Sequence, residues 1–194
     1  MLIDQDVKII GQVDSVLIEN IQELINTVNW FDSKFNRHEE SLIEGRLCTL
    51  PYPIRNQEQQ TYSADQEELI NAVFPIINQV SNYFPELVKV RGEIVNLFPG
   101  KKLGLHKDIY WFHKHSRRIH IPLCTNVDCY QIFEDRKQHL EVGTIYEINN
   151  RIMHSACNCG NTNRVHIILD LMTKEKGLEA MQTPGLVWRI DNEA

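Results

Sequence analysis

The sequence RIHIPLC at residues 118–124 and the sequence RVHIILDLM at residues 164–172 decide the fold class. Each begins with polar and apolar residues in alternation and is rich in Ile, Val and Leu, which is typical of a β-strand with two different faces. Further runs of this kind are Leu87–Phe98, Cys129–Phe133 and Gly143–Ile148. Several short strands at this spacing predict a sandwich or an open barrel, whose mouth can hold a ligand.

Helices are predicted ahead of these strands. Residues 14–30 place apolar side chains at three- and four-residue steps, and residues 63–84 repeat the pattern behind a capping-box sequence. Pro75 is expected to bend or split the second helix. A further helix is expected near residues 174–181. The chain is therefore predicted to be α+β, with helices that support one sheet.

The length predicts a single domain. The chain has 194 residues and a mass of 22.7 kDa, and 42% of its residues are apolar. At this length about 70% of the unfolded chain's surface can be buried, so the fold needs neither disulfides nor a structural metal. We expect residues 1–85 to form a mostly helical support region, residues 86–173 the β core and residues 174–194 a C-terminal extension.

The composition argues against several classes of protein. Lys and Arg number 20 against 26 for Asp and Glu, and a net charge of −6 argues against a nucleic-acid-binding protein. No apolar run approaches the roughly 20 residues that span a bilayer. The N-terminus lacks the pattern of a secretory signal and the five cysteines are an odd number, so we expect a cytoplasmic protein. Cys157-x-Cys159 lacks the spacing of a structural zinc site.

The β half contains seven of the eight histidines, and one of them begins an informative pattern. In an extended chain the side chains of His106 and Asp108 point to the same side, so an imidazole and a carboxylate can converge on one ion. His154 is the natural third ligand. Two histidines and one carboxylate leave open positions for a co-substrate and dioxygen, which suits Fe(II) oxygenase chemistry.

An arginine that could bind the co-substrate follows the candidate metal ligands in the sequence. Arg164 comes ten residues after His154 and begins a predicted strand. A planar guanidinium at this place can bind the far carboxylate of a dicarboxylic keto acid through two hydrogen bonds. The ordered set of His-x-Asp, a distant His and an Arg one strand later is much more specific than His-x-Asp alone.

Residues 97–172 resemble the Fe(II)- and 2-oxoglutarate-dependent oxygenases, and within them the aspartyl/asparaginyl β-hydroxylase-like group, to which some free-proline hydroxylases are related. The matching residues, in order, are Phe98-Pro99-Gly100, His106-x-Asp108, Arg118–Leu123, Gly143, Asn149–His154 and Asn163-Arg164-x-His166 running to Asp170. The animal enzymes that give the group its name lack the carboxylate ligand, whereas this sequence has Asp108.

The resemblance implies a fold, a site and a reaction. The implied fold is a double-stranded β-helix, which is a jelly-roll or cupin-like core, buttressed by the N-terminal helices. The implied iron ligands are His106, Asp108 and His154. Arg164 is implied to hold 2-oxoglutarate, with Arg118 and His120 near the co-substrate carboxylates. The implied reaction uses O2 to hydroxylate an amino acid, a peptidyl side chain or a related small metabolite, and releases succinate and CO2.

The residues leave alternatives open. A non-catalytic, cupin-like binding module would bind neither Fe(II) nor 2-oxoglutarate. A zinc-dependent hydrolase could use His106, Asp108 and His154, although it leaves Arg164 without a specific role. Arg118 and His120 could equally be structural. The sequence does not identify the prime substrate, and the helix at residues 14–30 offers a face for a homodimer.

Overall fold

The fold is given by a computed structural model that describes residues 5–30, 44–50, 62–183, 185–186 and 189–190. The helices in these ranges are α1 (Ser15–Glu19), α2 (Gln22–Thr27), α3 (Ala64–Ser81), α4 (Trp111–His115) and α5 (Lys174–Gln182). The strands are β1 (Val7–Gln12), β2 (Glu44–Leu50), β3 (Leu87–Leu97), β4 (Lys101–Lys102), β5 (Arg117–Cys124), β6 (Cys129–Phe133), β7 (Arg136–Gln138), β8 (Thr144–Ile148), β9 (His154–Asn158) and β10 (Arg164–Thr173).

The strands form two antiparallel sheets. The larger sheet has the order β1-β8-β5-β10-β3-β2, and the smaller sheet has the order β4-β9-β6-β7. From β3 to β10 the chain crosses repeatedly from one sheet to the other. This winding is a double-stranded β-helix, with β1 and β2 added at the two edges of the larger sheet. The predicted α+β fold class is confirmed.

One face of the larger sheet packs against the three N-terminal helices. A single hydrophobic cluster joins the apolar sides of α1, α2 and α3 to alternate residues of this sheet. Its completely buried members include Leu69, Val73, Ile76 and Ile77 of α3 and Ile94, Ile119, Ile121, Ile167 and Leu169 of the sheet. Alternation along the strands turns the intervening residues, such as Glu93, His120 and Ile168, to the opposite face, toward the smaller sheet.

The predicted helices are present, with two differences. The stretch 14–30 forms two short helices, which are separated at Asn20 and Ile21. The α3 helix begins at the predicted capping box, in which the Ser63 backbone N–H donates to Gln66 Oε1 at 3.1 Å. It then continues through Pro75. The lost backbone hydrogen bond is tolerated because packing of an apolar side, more than local propensity, stabilises helices in proteins.

Five strands have no counterpart in the sequence analysis. Two of them, β1 and β2, belong to the N-terminal region, which is therefore not only helical; residues 31–43 and 51–61 of that region lie outside the described residues. The strands β4 and β7 have two and three residues, too few to give a periodic pattern. The strand β9 has the sequence HSACN and is buried at every position, so it shows no alternation.

Two of the cysteines are oxidised. Cys157, in β9, forms a disulfide with Cys159, just after the end of that strand, whereas Cys124 and Cys129 are free. The disulfide differs from what a reducing compartment would favour. None of the helices in the described ranges is both long enough and apolar enough to cross a membrane.

Candidate active site

Two histidines are paired at the end of the smaller sheet. His106 follows β4, and His154 is the first residue of β9. Their backbones exchange two hydrogen bonds: His106 N–H donates to His154 O at 2.9 Å, and His154 N–H donates to His106 O at 2.8 Å. The ring centroids are 4.4 Å apart. The β-bridge therefore fixes the two imidazoles next to each other.

The backbone also sets the tautomer of both rings. His106 Nδ1 lies 2.8 Å from Gly104 O, and His154 Nδ1 lies 2.9 Å from Ile152 O. A carbonyl oxygen only accepts, so each Nδ1 carries a hydrogen, and in the neutral imidazole the Nε2 atom then has the lone pair that a metal ion needs. Burial lowers the pKa of His154, which favours the neutral form that coordinates metals.

The two carboxylate oxygens of Asp108 have different surroundings. Its backbone N–H donates to Asn150 O at 3.1 Å, which ties the residue to the turn before β9. The Oδ2 atom accepts hydrogen bonds from Arg118 Nη1 and, at 2.9 Å, from Asn150 Nδ2. The Oδ1 atom lies 4.0 Å from His106 Nε2. One carboxylate oxygen is thus held by the protein, and the other faces the histidines.

The three side chains form a set that can hold a metal ion. His106, Asp108 and His154 each offer a ligand atom within 4.8 Å of the other two. Burial alone would raise the pKa of the Asp108 carboxyl, but Arg118, His113 and Asn150 together hold it well below its usual range. Asp108 is therefore ionised at neutral pH. A donor set of two imidazoles and one carboxylate fits a non-haem Fe(II) centre.

An open cavity lies beside this set, between the two sheets. Arg164, the first residue of β10, lines the cavity although only 5% of the residue is exposed. Its Nη2 donates to Gln131 Oε1 at 3.1 Å, which orients the guanidinium plane. His120 lines the same cavity, and burial, with Arg118 and Arg164 nearby, lowers its pKa well below 6.5.

Arg118 has a position that the sequence alone did not indicate. It lines the cavity, as expected for a residue near the co-substrate, but its guanidinium is held by two carboxylates. The Nε and Nη2 atoms donate to Asp170 Oδ1 and Oδ2 at 3.0 and 3.2 Å, and Nη1 donates to Asp108. Arg118 therefore connects a buried carboxylate of β10 to the candidate iron ligand.

Several polar residues of the site were missed by sequence reasoning. Ion pairs run across the inner face of the larger sheet from Arg46 through Glu93, Arg91 and Asp170 to Arg118, with distances between 2.5 and 3.1 Å. A signal was present, because charges at alternate positions of an otherwise apolar strand indicate a buried polar face. Asn150, which donates to Asp108, lies within the matched stretch Asn149–His154 and was not singled out.

Solved structures with a similar fold include an oxygenase and a hydroxylase. An oxidoreductase of the 2OG-Fe(II) oxygenase family from Burkholderia pseudomallei is 12% identical, with 82% of this chain and 79% of that chain covered and a TM-score of 0.55. The viral collagen prolyl hydroxylase of Paramecium Bursaria Chlorella virus-1, in complex with 2OG, is 9% identical, with 87% and 96% covered and a TM-score of 0.51. The sequence matches none of the curated proteins with which it was compared. The fold and the site together define the class of the non-haem Fe(II) oxygenases.

The sequence identifies the family within this class. The family model described as Aspartyl/Asparaginyl beta-hydroxylase matches residues 53–174, which is more than half of the chain and includes all the predicted ligands. The chain belongs to this family. It is an Fe(II)- and 2-oxoglutarate-dependent dioxygenase, as the sequence analysis predicts.

Proposed function

We propose that His106, Asp108 and His154 bind the Fe(II) ion and that Arg164 binds the far carboxylate of 2-oxoglutarate. The hydrogen bonding of the two histidines carries this proposal, because both Nδ1 atoms are committed to backbone carbonyls and both Nε2 atoms remain for a metal. Fe(II) and 2-oxoglutarate supply the chemistry, which is oxidative decarboxylation to succinate and CO2 coupled to hydroxylation of an unactivated carbon.

The protein's own part at the metal is to position its ligands. Arg118 and Asn150 both donate to Asp108 Oδ2, so the carboxylate presents Oδ1 alone to the ion. Such hydrogen bonds to a ligand fix its orientation and strengthen metal binding. The backbone bridge between His106 and His154 does the same for the imidazoles.

The role of Arg164 follows from its surroundings. Arg164 lies on the cavity wall, and a carboxylate can accept two parallel hydrogen bonds from a guanidinium fork. Gln131 fixes the plane of that fork from the side. His120 lies on the same wall in its neutral form, where it can exchange one hydrogen bond with the co-substrate.

The zinc-hydrolase alternative is disfavoured by the cavity wall. A metal-assisted hydrolase needs a general base near the metal-bound water. Among the described residues that line the cavity there is no carboxylate to serve as this base. The four arginines of the wall instead suit an acidic co-substrate.

The prime substrate in this proposal is an amino acid, a peptidyl side chain or a related small metabolite. A cytoplasmic location and a homodimer are part of the same proposal. The free thiols of Cys124 and Cys129 support the location, and the disulfide between Cys157 and Cys159 weighs against it.

Calorimetric titrations with Mn(II), which is not oxidised in air, test the assignment of the residues. Wild type is expected to bind one Mn(II) and then one 2-oxoglutarate. The Asp108→Ala variant should lose most of its Mn(II) affinity, and Arg164→Gln should keep Mn(II) but bind 2-oxoglutarate at least tenfold more weakly. The control is Arg136→Gln, an exposed arginine paired with Asp6. Tight Zn(II) binding with no binding of 2-oxoglutarate would instead support the hydrolase.

A further inference from the structure

A disulfide lies in the sequence between the candidate metal ligands and Arg164. It joins Cys157, in β9, to Cys159, so it follows His154 by three residues and precedes Arg164 by five. Only 6% of Cys157 is exposed, whereas Cys159 is an exposed residue. Because thiol–disulfide exchange needs access to only one of the two sulfurs, a thiolate can react with this disulfide in the folded protein.

The residue between the two cysteines, Asn158, ties three segments of the fold together. It is completely buried. Its Nδ2 atom donates to Leu97 O and to Thr162 O, both at 2.8 Å, and its Oδ1 atom accepts from the Gly160 backbone N–H at 3.3 Å. The Asn158 side chain therefore holds the end of β9 against β3 and against the turn before β10. Arg164 is the first residue of β10, so it directly follows this turn.

The disulfide restricts the backbone at Asn158. It closes a ring that contains only Cys157, Asn158 and Cys159, so φ and ψ of the middle residue cannot change freely while the bond is intact. A cross-link excludes conformations that the reduced chain can adopt. Reduction is therefore expected to give the turn before β10, and with it Arg164, more conformational freedom. A group that is less preorganised loses more freedom on binding and binds its ligand more weakly.

The neighbouring strand favours a reversible reaction. β4 pairs with β9 so that Lys102 is directly opposite Cys157. Residues opposite each other in antiparallel strands have Cβ atoms about 4.5–5.5 Å apart, so the ammonium group of Lys102 can reach a thiolate at Cys157. A nearby cation favours the thiolate, which is the form of the thiol that attacks a disulfide and that re-forms the bond.

We propose that Cys157 and Cys159 form a reversible redox site that changes the affinity for 2-oxoglutarate, with the oxidised form binding it more tightly. The inference rests on the proposed function, since it uses the role of Arg164. A reversible disulfide also fits a reducing compartment, where the disulfides that occur are usually transient or redox-sensing.

The reactant is a dithiol, either a small molecule or a protein. One of its thiolates attacks Cys159 Sγ, the bond between the two protein sulfurs breaks, and Cys157 leaves as a thiolate. The second thiol of the reactant then attacks the mixed disulfide and releases Cys159. The protein gains two electrons and two protons, and the dithiol is oxidised to a disulfide.

The test compares the two oxidation states of wild type. One sample is oxidised in air, and the other is treated with dithiothreitol, which is then removed without oxygen before Mn(II) is added. Mass spectrometry of alkylated peptides maps the bond in each sample, and calorimetry measures both affinities. We expect the reduced protein to bind 2-oxoglutarate at least threefold more weakly, to bind Mn(II) within twofold of the oxidised protein, and to recover on reoxidation. Equal 2-oxoglutarate affinity in the two mapped states, or no bond between Cys157 and Cys159 after oxidation, would overturn the inference.

Variants assign the response to this pair of cysteines. The double variant Cys157→Ser/Cys159→Ser should have the 2-oxoglutarate affinity of reduced wild type and should not respond to dithiothreitol. The matched control is Cys124→Ser, which removes a free thiol that donates to Asn163 O and should keep the full response. A response that persists in the double variant would contradict the inference. Failure of wild type to bind Mn(II) and 2-oxoglutarate in either state would instead refute the proposed function.

Discussion

Asp108 shows how much the candidate site depends on residues outside the proposed ligand set. Its Oδ2 atom accepts two hydrogen bonds, from Arg118 and from Asn150, and its Oδ1 atom faces His106. A carboxylate held in this way cannot rotate to bind the ion through both oxygens. In the proposed site, Arg118 and Asn150 therefore fix the orientation of the proposed iron ligand.

Replacement of Asn150 tests this role. Asn150→Leu keeps the size of the side chain but removes the hydrogen bond to Asp108, and we expect Mn(II) affinity to fall by about 10- to 100-fold. Calorimetric titration of the metal-free protein measures the change. The matched control is Asn149→Leu, because Asn149 Oδ1 accepts from the backbone N–H of Arg151 instead. Wild-type Mn(II) affinity in a folded Asn150→Leu protein would contradict the positioning role.

The proposed ligand residues could be named from the sequence, and their hydrogen-bond partners could not. His106, Asp108 and His154 have side chains that a metal requires at a spacing that brings them together. Arg118 was expected near the co-substrate, but it faces Asp170 because β5 and β10 pair with these two residues in register. A single sequence does not reveal the register of strands that lie far apart in the chain.

At the scale of elements, β9 and the turn that follows it position Arg164. Asn158 ends β9 and is completely buried. Its Nδ2 donates to Leu97 O and to Thr162 O, both at 2.8 Å, and its Oδ1 accepts from Asn126 and from the Gly160 backbone N–H. This one side chain therefore ties the smaller sheet to β3 and to the turn before β10.

Replacement of Asn158 should disturb both stability and co-substrate binding. Asn158→Leu leaves several buried polar groups without partners, at a cost of about 1–3 kcal/mol each, so we expect the free energy of unfolding to fall by at least about 2 kcal/mol. The 2-oxoglutarate affinity of the folded fraction should also fall, because Arg164 follows this turn. Urea unfolding and calorimetry measure the two effects. The control is Asn161→Ala, an exposed change in the same turn, which should alter the free energy of unfolding by less than about 0.5 kcal/mol. An equal loss of stability in both variants would contradict the structural role of Asn158.

The helix α3 should contribute to the stability of the fold but not to the binding of 2-oxoglutarate. Leu69 is completely buried between α3 and the outer face of the larger sheet, away from the cavity. We expect Leu69→Ala to lower the free energy of unfolding by about 2–5 kcal/mol, since it removes packing and leaves a cavity. The affinity of the folded protein for 2-oxoglutarate should not change. A tenfold weaker 2-oxoglutarate affinity at a temperature where the variant is folded would show that the helices shape the site.

The helices and strands that the sequence predicted are those with a long and regular pattern of apolar residues. Long runs with a clear period, such as α3 and β10, were predicted closely because packing on one or both faces selects their residues. The strand β9 was not predicted, although it contains His154. Its five residues are small or polar and all are buried, since it lies inside a β-helix and contacts both neighbouring strands and the cavity.

At the scale of the whole molecule, a pair of buried histidines makes stability depend on pH. His120 and His166 are 7% and 1% exposed, and their Nδ1 atoms are 3.5 Å apart. Burial lowers the pKa of both well below 6.5, so both are neutral in the folded protein at neutral pH. In the unfolded chain they take up protons below about pH 6.5, and the free energy of unfolding then falls by up to about 1.4 kcal/mol per pH unit for each histidine.

His166→Leu should remove one of these two contributions. We expect the loss of stability between pH 7 and pH 5.5 to be about 1 kcal/mol smaller in this variant than in wild type. Urea unfolding of the metal-free proteins at several pH values measures the slope. At pH 8 neither histidine is protonated in either state, so a difference there reports packing alone. Identical slopes below pH 6.5 would mean that His166 is protonated in the folded protein.

The central claim is that Fe(II) and 2-oxoglutarate bind at His106, Asp108, His154 and Arg164. Anaerobic titration of Fe(II)-loaded protein with 2-oxoglutarate tests it most directly, because the complex gives a weak metal-to-ligand charge-transfer band in the visible range. We expect the band to reach its full intensity near one equivalent in wild type, to need more 2-oxoglutarate in Arg164→Ala, and to be lost in Asp108→Ala. Absence of the band in folded, iron-loaded wild type, or unchanged titrations in both variants, would contradict the claim.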